Sequence, residues 1–312
     1  MDDKYLEVIE KLRQNIYIVI KGKTGPIDHL IVALISGGNV LMEDVPGVGK
    51  TTLAKGLAKS LQANFKRVQF TPDLLPTDVI GSYIYNPIEG TFKFKEGPVF
   101  TNILLADEIN RASPRTQSSL LEAMSECQVT VEGNLYRLAS PFIVIATQNP
   151  VEFHGTYPLP EAQLDRFAIK LKLGYPSLEQ ELQVLYSQHK EHPLNKITSV
   201  TTKDEIVHIQ TLVREVKVKE PVAKYILDII DNTRHDQRLK LGVSPRGSLM
   251  LYRISQAVAL MKGRDYVLPD DVKEMAVEVL AHRLVLETKV KYSGVNKEEI
   301  IEDILENTKV PV

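Results

Sequence analysis

One short segment of the chain has the residue types and the spacing that bind phosphate. Asp44-Val45-Pro46-Gly47-Val48-Gly49-Lys50-Thr51 fits the P-loop pattern except at its first position, where Asp44 stands in place of glycine. Successive backbone N–H groups of such a loop, together with the N-terminus of the helix that follows, can converge on an anion. Lys50 would reach the outer phosphates and Thr51 would bind Mg²⁺. The predicted phosphate-binding residues are Pro46, Gly47, Val48, Gly49, Lys50, Thr51 and Thr52.

Two carboxylates follow the apolar run at residues 103–106. If this run is a strand in the same sheet as the P-loop strand, Asp107 lies next to the Mg²⁺ shell and Glu108 can polarise an attacking water. Strands often end in acidic residues that only face solvent, but the pairing with a P-loop favours the catalytic interpretation. We therefore predict Thr51 and Asp107 as metal ligands and Glu108 as the residue that activates water.

Three more polar residues follow in an order that suits nucleotide hydrolysis. Asn149 comes after the apolar run 143–146, where an amide can contact both the γ-phosphate and the lytic water. Arg166 precedes the last predicted strand, where an exposed guanidinium can reach the γ-phosphate of a neighbouring subunit, a contact worth ~10³-fold or more in rate. Arg246 opens a later helix and could carry conformational information from the nucleotide to the second domain. Taken alone, each arginine would be interpreted as a solvated charge.

The elements that position these residues alternate between strands and helices. This alternation predicts an α/β fold in which a mostly parallel sheet is flanked by helices. Beyond about Gly174 the pattern becomes helical, which predicts a C-terminal all-helical domain. We place the two domains at residues 1–186 and 187–312. Strands are predicted at 39–42, 65–70, 102–106, 141–146 and 167–173, and helices at 4–21, 27–36, 50–61, 113–126, 177–188, 202–213, 222–234, 248–261 and 269–282.

Two further segments have the alternation and turn residues of β-hairpins. Residues 82–86 and 91–95 flank a turn with Glu89-Gly90, and residues 129–131 and 135–138 flank Glu132-Gly133-Asn134. In a ring-shaped assembly both hairpins could face a central pore or a client protein. A surface hairpin with structural aromatic residues is an equally good interpretation.

The composition is that of an ordinary globular protein, and it limits the partners of the chain. The 312 residues carry 38 Lys+Arg against 40 Asp+Glu, and the formal charge of -2 gives no overall field that would hold a nucleic acid. The chain start lacks a signal-peptide pattern and the apolar run 30–42 is too short to cross a bilayer, which predicts a cytoplasmic protein without a transmembrane segment. The only cysteine, Cys127, excludes an intrachain disulfide, and we predict a buried thiol. His189 and His192 are interpreted as solvated rather than metal-binding.

As a set, these motifs resemble an AAA+ ATPase, and more closely the MoxR family. The resemblance covers roughly residues 5 to 285 and implies a P-loop AAA+ core with a helical lid. It also implies a ring, expected to be a hexameric homo-oligomer with ATP at subunit interfaces, and chaperone-like remodelling of partner proteins, often ones with a von Willebrand factor A domain. Asp44 is similar to the MoxR variant of the P-loop, and Arg111 belongs to the family pattern as a residue that contacts a neighbouring subunit. The resemblance rests on residues 43–51, 107–112, 146–150, 160–167 and 244–246.

Mg²⁺-dependent ATP hydrolysis is therefore the main prediction, and three alternatives stay open. A motor acting on nucleic acid is disfavoured by the near-neutral charge and by hairpin tips that carry Glu89 and Glu132. A metal-chelatase motor of the same superfamily is not excluded by the core motifs. A scaffold that binds ATP without turnover is disfavoured by the joint presence of Glu108, Asn149 and Arg166.

Overall fold

The computed structural model describes residues 4–149, 156–188 and 191–311, so that Pro150 and His189 lie outside the described residues. The strands are β1 Val40–Glu43, β2 Phe65–Gln69, β3 Gly81–Asn86, β4 Thr91–Glu96, β5 Ile103–Asp107, β6 Gln128–Val131, β7 Asn134–Arg137, β8 Ile143–Gln148, β9 Ile169–Leu171, β10 Leu239–Leu241 and β11 Val285–Leu286. The helices are α1 Lys4–Val19, α2 Thr24–Ser36, α3 Lys50–Ser60, α4 Pro76–Ile80, α5 Pro114–Glu126, α6 Glu161–Leu164, α7 Leu178–Gln188, α8 Lys203–Glu215, α9 Glu220–His235, α10 Pro245–Met261, α11 Pro269–Leu280, α12 Thr288–Lys291 and α13 Lys297–Asn307.

A five-stranded parallel sheet forms the centre of the α/β part, in the order β2-β5-β8-β1-β9. Its register pairs Glu43 with Gln148 and Gln69 with Asp107, so β1, β5 and β8 end at the same edge. Ligands of open parallel sheets bind outside the carboxyl ends of the strands. The predicted parallel sheet is confirmed, and its topology brings the predicted site residues to one edge.

The central strands are buried on both faces because helices cover both sides of the sheet. Along β5, Ile103 and Leu105 belong to one apolar cluster, while Leu104 and Ala106 belong to a second cluster on the opposite face. This alternation follows from the two-residue period of a strand. The first cluster also contains residues of α1, α2, α3, α8 and α10, and the second contains residues of α5.

The C-terminal part is mainly helical and shares the first apolar cluster with α1 and α2. Helices α8 and α10 contact α2, and α11 and α13 contact each other. The C-terminal part also contains the antiparallel pair β10–β11 and the helix α13, which the sequence analysis does not predict. The predicted division between residues 186 and 187 falls inside α7, and this boundary stays a prediction. Within residues 4–149, 156–188 and 191–311, no helix is long and apolar enough to cross a membrane.

Both predicted hairpins are present, and aromatic side chains pack them against each other. Tyr83 faces Phe94 across β3–β4, and the Phe94 ring stacks on Tyr136 of β7 with ring centroids 4.2 Å apart. The Tyr83 and Tyr136 hydroxyls share a hydrogen bond of 2.6 Å. At the first hairpin, Ile88 is 93% exposed and Phe92 is 68% exposed. The two hairpins therefore form one unit whose outer end presents apolar side chains to solvent.

The prediction of a buried thiol at Cys127 is wrong. Cys127 is exposed and lies just after α5, where its backbone takes a left-handed conformation with φ of 51°. The helix ends one residue before Cys127, and the chain turns there into β6. Cys127 therefore lies outside the helix that the prediction of a buried thiol assumed.

Candidate active site

A cavity of about 320 Å³ lies at the carboxyl ends of β1, β5 and β8. Every predicted phosphate-binding residue except Val48 lines it, and the Val48 side chain packs against the apolar core instead. Asp107, Glu108 and Asn149 line the same cavity. The structure thus brings the P-loop, the predicted carboxylates and the predicted nucleotide sensor together.

The two P-loop glycines have a backbone conformation that other residues rarely adopt. Gly47 has φ of 86° and Gly49 has φ of 101°, both in the left-handed region. Gly49 directly precedes α3, so the N-terminus of this helix lies at the cavity. A helix N-terminus carries unpaired N–H groups and a partial positive charge, which suit a phosphate.

Lys50 supplies a positive charge to this cavity. Its Nζ donates a hydrogen bond of 2.7 Å to the backbone oxygen of Asp44. Burial lowers the pKa of Lys50, and the negative charges of Asp44, Asp107 and Glu108 oppose this shift. The ammonium therefore lies among carboxylates within a partly buried pocket, where electrostatic interactions are stronger than in water.

The two carboxylates at the end of β5 are held by residues that sequence reasoning did not identify. Asp107 Oδ1 accepts a hydrogen bond of 2.6 Å from Thr147 Oγ1, and Asp107 Oδ2 accepts from Arg67 Nε and Nη2 at 3.0 and 2.6 Å. Thr147 Oγ1 also accepts from the Glu108 N–H at 2.8 Å. Asp107 is thus fixed from both neighbouring strands, β2 and β8.

Glu108 is oriented through one of its oxygens. Glu108 Oε2 accepts hydrogen bonds from Gln69 Nε2 at 2.7 Å and from Arg111 Nη1 at 3.0 Å. The Glu108 backbone is left-handed, with φ of 55°. Arg67 and Gln69 are two residues apart on β2, so they share one face of the strand beside β5. That spacing is the one signal in the sequence that could have drawn attention to them, and the sequence analysis did not use it.

The donors at this edge of the sheet fit magnesium bound together with phosphate. Mg²⁺ prefers hard oxygen ligands and is usually bound by one or two protein oxygens plus phosphates and water. The Thr51 hydroxyl and the Asp107 carboxylate are oxygen donors on the cavity wall. A carboxylate oxygen has two lone pairs, so Asp107 can still accept a metal-bound water beside Arg67 and Thr147. Throughout the described residues, no group of three His, Cys, Asp or Glu side chains offers a separate metal site.

The two predicted arginines lie together but do not line the cavity. Arg166 Nη1 donates to the backbone oxygen of Leu121 at 3.0 Å and also contacts Ser125 Oγ. Arg246 Nη1 is 3.9 Å from Asp165 Oδ2. Burial, and then the charge of Arg246, lower the pKa of Arg166. Within one chain, neither guanidinium is part of the P-loop wall.

A third arginine, which sequence reasoning missed, anchors the helical part to the α/β part. The Arg283 side chain is 1% exposed, and its Nε donates to Asp165 Oδ1 at 3.1 Å while its Nη2 donates to the Phe167 oxygen at 2.6 Å. Ser244 Oγ donates to the other Asp165 oxygen at 2.9 Å. Burial lowers the pKa of Arg283 to about 10, and the charge of Asp165 opposes the shift. Asp165 therefore joins the two parts beside Arg166.

A larger cavity, of about 470 Å³, lies between α1 and α8. Side chains such as Tyr5, Val8 and Leu212 make its walls mainly apolar. Asp204 and Glu205 also line this cavity, and their negative charges disfavour a bound phosphate. The smaller cavity at the P-loop is therefore the candidate active site.

Two family models match the chain. The model described as the ATPase family associated with various cellular activities matches residues 39–169, and the AAA lid domain model matches residues 231–304. The first range contains the P-loop, Glu108 and Arg166, and the second contains Arg246 and Arg283.

Curated relatives match over most of their length. Chaperone MoxR1 of Mycobacterium tuberculosis is 39% identical over 94% of this chain and 80% of its own. The chain belongs to the MoxR family of AAA+ ATPases. The uncharacterized protein YeaC of Bacillus subtilis is 50% identical over 98% of this chain and 95% of its own. A solved crystal structure of a protein from Cytophaga hutchinsonii, 39% identical, has a TM-score of 0.91 and covers 99% of this chain and 96% of its own.

Membership of the MoxR family confirms the resemblance drawn from the motifs. The predicted fold class, a P-loop AAA+ core followed by a helical lid, is confirmed as well. Asp44 departs from the general P-loop pattern, yet the loop around it has the left-handed glycines and the helix N-terminus that a phosphate site requires. The roles of the individual site residues in this MoxR-family protein remain predictions.

Proposed function

We propose that the protein hydrolyses ATP with Mg²⁺ and uses the reaction to remodel partner proteins. One observation carries this proposal: the P-loop residues Lys50 and Thr51 share a cavity with the carboxylates Asp107 and Glu108. A P-loop alone supports nucleotide binding, whereas hydrolysis needs a second group that can activate water. The orientation of Glu108 by Gln69 and Arg111 supports that role for Glu108.

The proposed reaction transfers the γ-phosphoryl group of ATP to water. Lys50 and the N–H groups of the loop bind the phosphates, and Asn149 contacts the γ-phosphate and the attacking water. Glu108 accepts a proton from that water as the bond to the leaving ADP breaks. Bound Mg²⁺ supplies charge neutralisation at the phosphates, and Thr51 and Asp107 are the residues that would hold it.

We further propose that Arg166 acts on the ATP of a neighbouring copy in a homo-oligomeric ring, expected to be hexameric, and that Arg246 carries conformational information from the nucleotide to the lid. Both guanidiniums lie near Asp165, away from the cavity wall of their own chain. An arginine supplied by a neighbour can stabilise the charge that develops on the transferring phosphoryl group. Arg111, which contacts Glu108 within the chain, is a second residue through which a neighbour could influence hydrolysis.

Protein clients suit this chain better than nucleic acid. The hairpin unit presents Ile88 and Phe92 to solvent, and exposed apolar groups of this kind commonly mark protein interaction sites. The formal charge of -2 offers no general attraction for a phosphate backbone. One relative is named a chaperone. We therefore propose protein clients, including ones with a von Willebrand factor A domain as the resemblance implies.

Subunit mixing tests the proposed ring mechanism. Lys50→Ala should lose ATP binding, and Arg166→Ala should lose hydrolysis while still binding ATP. If Arg166 acts on a neighbour, rings that contain both variants regain part of the phosphate release, because some sites combine an intact Lys50 with an intact Arg166. Lys55→Ala, an exposed lysine on α3, is the matched control and should behave as the parent. Proven mixing without any recovery would contradict action on a neighbour.

A further inference from the structure

Asp44 is the one residue of the P-loop pattern that the proposed mechanism does not explain. The general pattern has glycine at this position. Asp44 is not one of the described residues with positive φ, so its backbone does not need the conformational freedom of glycine. Asp44 as a whole residue is 7% exposed. A buried carboxylate needs hydrogen-bond donors around it, because burying an unpaired charge is costly.

The Asp44 carboxylate contacts the start of the connection between the two parts of the chain. Its oxygens accept hydrogen bonds from the Gly174 N–H at 3.2 and 3.1 Å and from the Leu173 N–H. These residues follow β9 and precede α7, on the way to the helical lid. Hydrogen bonds to an ionised acceptor are roughly twice as strong as those between neutral groups. A glycine in place of Asp44 would leave both N–H groups without this acceptor.

The backbone of Asp44 contacts the phosphate-binding lysine. Its carbonyl oxygen accepts the hydrogen bond from Lys50 Nζ, and its N–H donates to the Gln148 oxygen at 3.3 Å. One residue therefore contacts both the lysine of the candidate active site and the interdomain connection. A shift of Asp44 on nucleotide binding would therefore move the acceptor of the N–H groups of residues 173 and 174.

Glu43, the residue before Asp44, makes a second attachment between the end of β1 and the helical lid. Glu43 Oε2 lies 3.0 Å from Lys170 Nζ, and Lys170 Nζ lies 2.9 Å from Glu298 Oε1 in the first turn of α13. Burial alone would lower the pKa of Lys170, but the charges of Glu43 and Glu298 outweigh it and raise the pKa. Both acidic residues at the end of β1 thus attach the P-loop to elements that lead into the lid.

We propose that Asp44 is a positioning residue that couples ATP binding at the P-loop to the connection 173–177 and, through it, to the helical lid. The inference rests on the proposed nucleotide-binding function. Asp44→Gly should bind ATP within about threefold of the parent, because Lys50 and the loop N–H groups remain. Its kcat should fall by about 10- to 100-fold, because misplacement of the lid impairs a reaction that depends on accurate positioning.

A tryptophan reporter separates this coupling from a merely structural role. The chain contains no tryptophan, and Tyr175, in the connection, is 73% exposed. In the otherwise unchanged chain, Tyr175→Trp should change its emission when a slowly hydrolysed ATP analogue binds. Adding Asp44→Gly should abolish this change while binding of the analogue, measured by calorimetry, persists. Asp44→Asn should give an intermediate change, and Glu179→Gln, an exposed carboxylate on α7, should leave it intact.

Four results would overturn the coupling. The emission change could persist at full size in Asp44→Gly, or it could be absent in a parent reporter that binds the analogue. Folded Asp44→Gly and Asp44→Asn could both fail to bind the analogue, which would make Asp44 part of the binding site itself. A parent reporter that binds no nucleotide would contradict the proposed function as well, so the two failures are distinguishable.

Discussion

Replacing Glu298 by glutamine should weaken the attachment of α13 to the edge of the sheet. Glu298 Oε1 lies 2.9 Å from Lys170 Nζ and 3.1 Å from Lys172 Nζ. Burial alone would raise the pKa of Glu298, but the hydrogen bond and charge of Lys170 outweigh it and lower the pKa from 4.5 to about 2. One pKa unit corresponds to about 1.4 kcal/mol, which sets an upper limit of about 3 kcal/mol on the stabilisation.

Solvent reduces this limit, because the Glu298 side chain is 27% exposed. We therefore expect Glu298→Gln to lower the free energy of unfolding by about 1–2 kcal/mol near neutral pH. The folded pKa lies below the unfolded one, so the stabilisation is present above the unfolded pKa and is lost as the pH falls through 4.5 towards 2. Glutamine does not titrate. The difference between parent and variant should thus be constant from about pH 7 to about pH 5.5 and smaller near pH 4.

Urea unfolding followed by circular dichroism at these three pH values measures the difference. Glu302→Gln, which removes an exposed carboxylate from the same helix, is the matched control and should change stability by less than about 0.5 kcal/mol. An unfolding free energy for Glu298→Gln equal to that of the control would refute the reasoning. A loss of the same size near pH 4 and pH 7 would refute its electrostatic basis.

Two further substitutions test the other polar networks. Asp165→Ala leaves the buried Arg283 guanidinium without its carboxylate and should destabilise the protein by about 3–5 kcal/mol in thermal unfolding. Asp165→Asn should destabilise it less, because asparagine keeps a hydrogen-bond acceptor. Equal and small losses of stability in the two variants would contradict an anchoring role for Asp165. Gln69→Ala removes a hydrogen-bond donor from Glu108 and should lower kcat, measured by phosphate release, by about tenfold. The affinity for ATP, measured by calorimetry, should stay unchanged. A change in affinity alone would contradict the proposed orientation of Glu108.

Local sequence patterns were sufficient for the P-loop, the sheet strands and the hairpins. Each depends on short-range signals: glycines beside Lys50, an apolar run ending at Asp107, and alternation around a turn. The capping pattern of Asn296 and Glu299 at the start of α13 is also local, and the structure has both of its hydrogen bonds. Our helix prediction stopped at residue 282 and left this signal unused.

The contacts that orient the site could not be predicted because they depend on which strands are neighbours. Arg67 and Gln69 reach Asp107 and Glu108 only because β2 pairs with β5 in one register. Arg283 lies more than a hundred residues from Asp165 in the chain, and its burial depends on packing between the two parts. Arg166 is predicted to reach the γ-phosphate of a neighbouring subunit, and a single chain, in which Arg166 lies outside the cavity wall, leaves this role a prediction.

Phosphate release by the parent protein and by Glu108→Gln tests the central claim most directly. The parent should hydrolyse ATP only with Mg²⁺. Glu108→Gln should bind ATP as tightly while its kcat falls by at least about 100-fold, because glutamine cannot accept the proton of the attacking water. Glu302→Gln, which alters an exposed carboxylate on α13, should retain the parental rate. Parental hydrolysis by Glu108→Gln would contradict the account.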